Sequence, residues 1–221
     1  MDRRSFLTWS AVSPVSVTAG ALGRPRYRQS LPRRSSRPLP TGLRNLDYVL
    51  RGGLTPGAVT LLGATPGRGI VHPLTLSIID HHLQREGRPV AFVTAYLSRD
   101  DLLWRLASMR AGVPCHISRH GLWEDDRQRR TYEETRQAIE ESALHYESIR
   151  RLRAFDDLAR SLREVHERHP LAVIVIDDVG ELKDLRCAQV PERAADNVGR
   201  AMQHLARAVE APILAVHWFC L

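Results

Sequence analysis

The chain has 221 residues, 43% of them hydrophobic and 26% charged, enough for one domain with a sizeable core plus a tail. No apolar run is long enough to span a membrane, and three cysteines (Cys115, Cys187, Cys220) form no paired framework, which argues against a disulfide-built scaffold and for a reducing compartment. The net charge of +7 is concentrated: residues 1–40 hold eight Arg and one acid, Asp2, while the rest balances 24 basic against 24 acidic groups. Any hint of nucleic-acid binding in the basic composition therefore belongs to the tail alone.

Residues 1–38 read as a basic, disordered N-terminal tail. RPRYRQSLPRRSSRPLP (24–40) is rich in Arg, Pro and Ser, with few apolar anchors. It serves either as a solvated linker or as an arm that binds DNA or another anion, since clustered Arg attracts phosphate without needing a fold. DRRSFLT (2–8) is similar to a twin-arginine export signal and is followed by AGA at 19–21. Pro14, the scattered Ser and Thr, and Arg24, Arg26 and Arg28 all count against translocation. A cytoplasmic protein is the expectation, with twin-arginine export as the alternative.

From residue 39 onward the pattern is that of a second unit, 39–221. Thr41 is expected to cap a short helix over LRNLDYVL, which ends at Arg51-Gly52-Gly53. AVTLLGA (58–64) reads as a buried strand, then comes the loop TPGRG and a helix over 70–85 with Pro73 in its first turn. PVAFVTA (89–95) is a second buried strand. SRDDLLWRLASMRAG (98–112) is a helix capped by Ser98, with Leu102, Leu103, Leu106 and Met109 on one face.

Residues 113–124 look irregular. CHISRH within them supplies at most three metal ligands on a loop, which does not match the spacing of known zinc sites. A polar helix over 126–143 and an ambiguous segment at 145–150 follow. AFDDLARSLREVHERH (154–169) is amphipathic, and LAVIVIDD (171–178) is a strand buried on both faces. A last helix over 192–209 precedes a final strand, APILAVHWF (211–219). Alternating buried strands and helices imply an α/β fold, with a mostly parallel central sheet covered on both sides.

A strand, a glycine-containing loop and a helix at 58–85, together with an apolar strand ending in Asp, suggest a P-loop NTPase architecture. In such a site loop amides and the helix N-terminus hold phosphate oxygens. A Lys neutralises the phosphates, a Ser or Thr hydroxyl ligates Mg²⁺, and the strand-end Asp completes the metal shell. The segments PTGLRNLDYVLRGGLTPGAVTLLGATPGRG, PVAFVTAYLSRDDLLWRLASMRAGV, LAVIVIDDVGEL and RAADNVGRAMQHLARAVEAPILAVHWF jointly resemble the RecA-like, C-terminal motor domain of the DnaB family of replicative DNA helicases. The resemblance runs over about residues 39–219. It implies a three-layer RecA-like P-loop NTPase fold and ATP-dependent DNA translocation.

Aligned on that resemblance, the phosphate loop is Ala64-Thr65-Pro66-Gly67-Arg68-Gly69-Ile70-Val71. Ile70 falls where the family carries Lys and Val71 where it carries Ser or Thr; the only lysine anywhere in the chain is Lys183. Tyr96 falls at the water-activating glutamate and Trp218 at the phosphate-sensing glutamine. Of the groups that do the chemistry, Asp177 alone is kept, as the one candidate metal ligand. A strand-end Asp also has a purely structural use, hydrogen-bonding a neighbouring loop. Arg68 sits two positions before the lysine position, at the loop crest, and is not expected to replace it.

Losing the lysine in a preorganised site typically costs several kcal/mol of transition-state stabilisation, and losing the glutamate costs roughly 10²–10⁴-fold in rate. The expectation is a vestigial nucleotide site made of Thr65, Pro66, Gly67, Arg68, Gly69, Ile70, Val71 and Asp177, with no confident catalytic residue. No cofactor is then expected; ATP and magnesium belong to the alternative, an active translocase subunit completed by a partner. The partners expected are a helicase or another replication protein, DNA through the Arg-rich tail, or a second copy of the chain, with no membrane involved. An exported protein of unknown role is the remaining reading.

Overall fold

The computed structural model describes residues 37–64, 71–85, 87–149, 154–186 and 191–218. The basic tail, its twin-arginine-like start and the loop residues 65–70 lie outside the described residues. Five strands form one parallel sheet: β1 (Val59–Ala64), β2 (Val90–Thr94), β3 (Leu144–Ser148), β4 (Val173–Asp177) and β5 (Ile213–Trp218), in the order β1-β5-β4-β2-β3. The parallel α/β architecture expected from the strand–helix alternation is observed.

Every residue of β2 and β4 is buried, because helices cover both faces of the sheet. Side chains alternate between two cores. Ile174 and Ile176 point into one, against Phe155, Leu158 and Leu162 of α6 (Phe155–Arg168) and Leu205 of α8 (Pro191–Ala208). Val173 and Val175 point into the other, with Ile78 and Ile79 of α2 (Val71–Arg85), Leu102, Leu103 and Leu106 of α3 (Arg99–Ala111) and Ile139 of α5 (Asp126–Glu140). Helices, sheet and helices thus make three layers. Arg110 binds Asp80 through Nε at 2.7 Å, tying α3 to α2.

Local signals decide most element ends. Ser98 Oγ accepts from the Asp101 amide at 3.0 Å, and Gly112 closes the same helix at φ 66°. Several elements depart from expectation. Thr41 does not cap α1 (Arg44–Val49), whose N-cap is Leu43 without a side-chain bond. Instead the Thr41 hydroxyl donates to Asp47 Oδ1 at 2.7 Å, closing the approach to the helix from outside it.

The segment expected to be irregular contains α4 (Cys115–His120), whose Ser118 Oγ accepts from Trp104 Nε1 at 2.8 Å. The ambiguous segment is β3, paired in parallel with β2. After β4 come a single 3₁₀ turn, Val179–Glu181, and α7 (Lys183–Arg186), neither of which the sequence reading anticipated. Ahead of the sheet, Leu39 and Leu54 form an antiparallel bridge. Gly53 (φ 124°) passes so close to the Leu39 carbonyl that a Cβ has no room there.

Candidate functional site

Parallel registration brings the carboxyl ends of four strands together. Ala64 of β1 pairs with Trp218 of β5, and Thr94 of β2 pairs with Asp177 of β4. In open α/β sheets this end is where ligands bind. Asp177, the last residue of a fully buried strand, has no solvent exposure, and its neighbour Asp178 is also buried.

A buried carboxylate needs donors, and the chain supplies them from two distant elements. The ring Nε2 of His72, in the first turn of α2, lies 3.2 Å from Asp177 Oδ2. Trp218 Nε1 donates to the other oxygen at 3.4 Å. The two aromatic rings are 5.8 Å apart at an interplanar angle of 57°, so the imidazole and indole form a tilted pair over the carboxylate. The N-terminal end of α2 adds a favourable dipole for the negative charge.

The rest of that first turn carries no hydroxyl aimed at Asp177. Val71 is buried with 6% exposure. The hydroxyl of Thr75, one turn further on, donates to the backbone carbonyls of Val71 and His72, both at 3.0 Å.

Around this centre lies a second polar group. Asp178 Oδ1 accepts from the Gly180 amide at 2.8 Å and lies 3.2 Å from His217 Nδ1. Burial pushes the Asp178 carboxyl above its ordinary range, partly offset by the Gly180 amide and His217. Gly180 is needed here because a Cβ at that position would stand 2.9 Å from the His217 ring.

Tyr96 follows β2, and its hydroxyl donates to Glu181 Oε1 at 3.3 Å. Burial, then the charges of Glu181 and Asp178, push this phenol up to about 12. The turn holding Tyr96 is made by Thr94, whose buried hydroxyl accepts from the Tyr96 amide at 3.1 Å.

Of the residues singled out in the sequence, the structure brings Asp177 and Trp218 into contact, places Val71 at the head of α2, and sets Tyr96 at the edge beside Glu181. Thr65, Pro66, Gly67, Arg68, Gly69 and Ile70 lie outside the described residues. His72 was missed, as were Asp178, Glu181 and His217. One signal for His72 was available: a basic side chain in the first turn of a helix opposes the dipole, so it is expected to have a carboxylate partner. The partner itself is 105 residues away. Among the described residues no group of His, Cys, Asp and Glu is arranged to hold a metal ion.

The profile of the family described as "DnaB-like helicase C terminal domain" matches residues 38–218. The chain belongs to that family. Among curated proteins it is similar to the DNA repair protein RadA of two Mycobacterium tuberculosis strains, 34% identical over 120 residues. That match covers 49% of this chain and 24% of RadA, so the chain spans about a quarter of the relative's length.

Among solved structures it is similar to the ATPase domain of G40P, with a TM-score of 0.70 and 13% identity, covering 82% of this chain and 63% of that one. It is also similar to a DnaB-like replicative helicase whose structure was described with its interactions with primase. There the TM-score is 0.69 and the identity 13%, covering 81% of this chain and 42% of the other. At this identity the structures establish the RecA-like fold alone; the family profile is what places the chain among DnaB-like helicase C-terminal domains.

Proposed function

We propose that this DnaB-like domain is a non-hydrolysing member of its family that acts by binding a protein or nucleic acid in DNA replication or maintenance. The observation that carries the reading is the state of Asp177. In an active P-loop site the strand-end carboxylate serves the Mg²⁺ shell, and a helix-borne hydroxyl shares that task. Here His72 and Trp218 take both carboxylate oxygens, and the buried Val71 stands at the hydroxyl position. The chemistry left to the site is structural: it fixes the head of α2 against β4 and β5.

The partner on this reading is a helicase ring or another replication protein, with the Arg-rich tail contributing affinity for DNA. Calorimetric titration of the full chain with Mg-ATP tests it. The expected result is binding weaker than about 1 mM and no turnover, with or without single-stranded DNA. Micromolar binding, or DNA-stimulated hydrolysis above that of the partner helicase alone when the two are mixed, refutes it. The variant Ile70→Lys with Val71→Thr is expected to leave affinity unchanged while His72 holds Asp177, and to gain about tenfold or more once His72→Ala is added.

A further inference from the structure

The helix α1 lies away from the Asp177 site and takes no part in it. Leu43, Leu46 and Leu50 pack its inner side against the core that holds Leu39 and Leu54. Gly42, just before the helix, approaches the His81 ring so closely that a Cβ has no room. His81 lies about 13 Å along α2 from His72 at 1.5 Å per residue, so α1 sits toward the end of α2 remote from the carboxylate.

The outer side of α1 leaves both apolar and basic groups in solvent. Tyr48 is 86% exposed, more than any other large hydrophobic residue described, and Val49 beside it is 56% exposed. Arg44, one turn before Tyr48, and Arg51, just past the helix, are exposed as well. The one acid of the helix, Asp47, is engaged inward: its Oδ1 accepts from the Thr41 amide at 2.6 Å and from the Thr41 hydroxyl at 2.7 Å. Among the described residues no carboxylate pairs with Arg37, Arg44 or Arg51. Elsewhere several surface arginines are paired, Arg129 with Glu133, Arg136 with Glu140 and Arg160 with Asp157.

The backbone singles out one of these arginines. Arg51 takes φ 56°, a left-handed conformation that only Glu210 shares among the described residues other than glycine. Glycine is the ordinary occupant of such a position, and an arginine held there against strain points to a use for its side chain. Pro38 faces Gly52, where a Cβ would stand 3.6 Å from the proline ring, so Arg37 and Arg51 both adjoin that contact. Tyrosine and arginine dominate the binding energy of protein interfaces, and three unpaired arginines favour a negatively charged partner. Val49 decides which kind: an aliphatic side chain gains nothing from a phosphate backbone but is buried by an apolar side chain of a peptide. We propose that the outer face of α1 docks an acidic segment of a partner protein. An apolar side chain of that segment rests on Tyr48 and Val49, and its carboxylates meet Arg37, Arg44 and Arg51. Docking of this kind rests on the binding role proposed above and gives the partner its chemistry.

Fluorescence anisotropy of the full chain at about 0.15 M salt tests this, with a labelled peptide of Asp and Glu around a single Phe. Binding is expected, and Tyr48→Ala should weaken it about fivefold or more, as should Ala in place of the peptide's Phe. The two changes combined should cost little more than either alone, because they break the same contact. Arg44→Gln with Arg51→Gln is expected to weaken binding about threefold or more and to flatten its salt dependence. Arg129→Gln with Arg160→Gln removes the same charge at paired arginines and is expected to change neither. Circular dichroism should show the Tyr48→Ala chain folded, since that side chain is almost wholly exposed. Absence of binding, indifference to Tyr48→Ala, an affinity independent of the Phe, or an equal loss in the Arg129 and Arg160 variant overturns the proposal. So does single-stranded oligothymidine whose binding falls with Tyr48→Ala while the peptide's does not. Titrating the same samples with Mg-ATP keeps the two readings apart. Turnover with Tyr48-dependent peptide binding refutes the non-hydrolysing reading alone, and absence of both refutes the docking site alone.

Discussion

Replacing His72 by Ala removes the better of the two donors to a carboxylate with no exposure of its own. What remains for Asp177 is the indole N–H at 3.4 Å, a long bond, and the field of the α2 N-terminus. Hydrogen bonds to charged groups contribute about 1.5–3 kcal/mol, and leaving the buried partner short of donors adds desolvation cost. The His72 side chain is 23% exposed, so its removal also opens a route for water that moderates the loss. The middle of that range, about 2 kcal/mol, is the expected destabilisation. For a chain of this size that corresponds to a fall of about 4–8 °C in Tm.

Urea unfolding at neutral pH gives the free energy, and scanning calorimetry the Tm. His72→Gln, which keeps an N–H donor of similar reach, is expected to recover roughly half of the loss. The decisive measurement is the double-mutant cycle with Asp177→Asn. If the imidazole acts through Asp177, the double variant loses less than the sum of the singles, with a coupling of at least about 0.5 kcal/mol. Simple additivity would mean that His72 stabilises α2 through something other than Asp177, and the account of the site as a closed carboxylate would fall with it.

Two pH effects follow from the same region. Tyr96 is held neutral up to about 12, above its ordinary value of 10.0, so the folded chain keeps a proton there that the unfolded chain releases. Stability therefore falls as pH rises between those values, though partial exposure of Tyr96 screens the effect. Tyr96→Phe should delete a component of the tyrosinate absorbance that titrates near 12; loss of a component near the ordinary 10.0 instead would show that Tyr96 is not perturbed. Asp178 is likewise raised above its ordinary 3.8, chiefly by burial, so its contribution to stability is present on the acid side and fades as pH climbs through that window. Asp178→Asn keeps an acceptor for the Gly180 amide and should flatten this slope, measured as unfolding free energy against pH; a slope as steep as the unchanged chain's would refute the assignment.

The parts of the molecule that could be read from sequence share one property: their pattern is local and repeated. Val173–Ile176 is apolar throughout because both faces of β4 are covered, and α6 shows its buried face in Phe155, Leu158 and Leu162 at helical spacing. β3 was ambiguous because an edge strand half-covered on each face, with every residue of intermediate burial, shows neither a continuous apolar run nor clean alternation. The helix Cys115–His120 has no buried residue, and α3 holds it through the bond from Trp104 to Ser118, whose outside partner its own six residues do not encode.

The site divides in the same way. Asp177 could be placed from its strand, and Val71 and Trp218 were singled out by the family resemblance, but the contact joining His72 to Asp177 is tertiary. Taken singly, each of these side chains is a tolerable change. Together they solve one physical problem. A carboxylate at the buried end of β4 has to be given donors, and where no metal shell provides them the helix after the loop and the last strand must do so. On the proposed reading the donors that satisfy the buried aspartate are His72 and Trp218, and the buried Val71 supplies none.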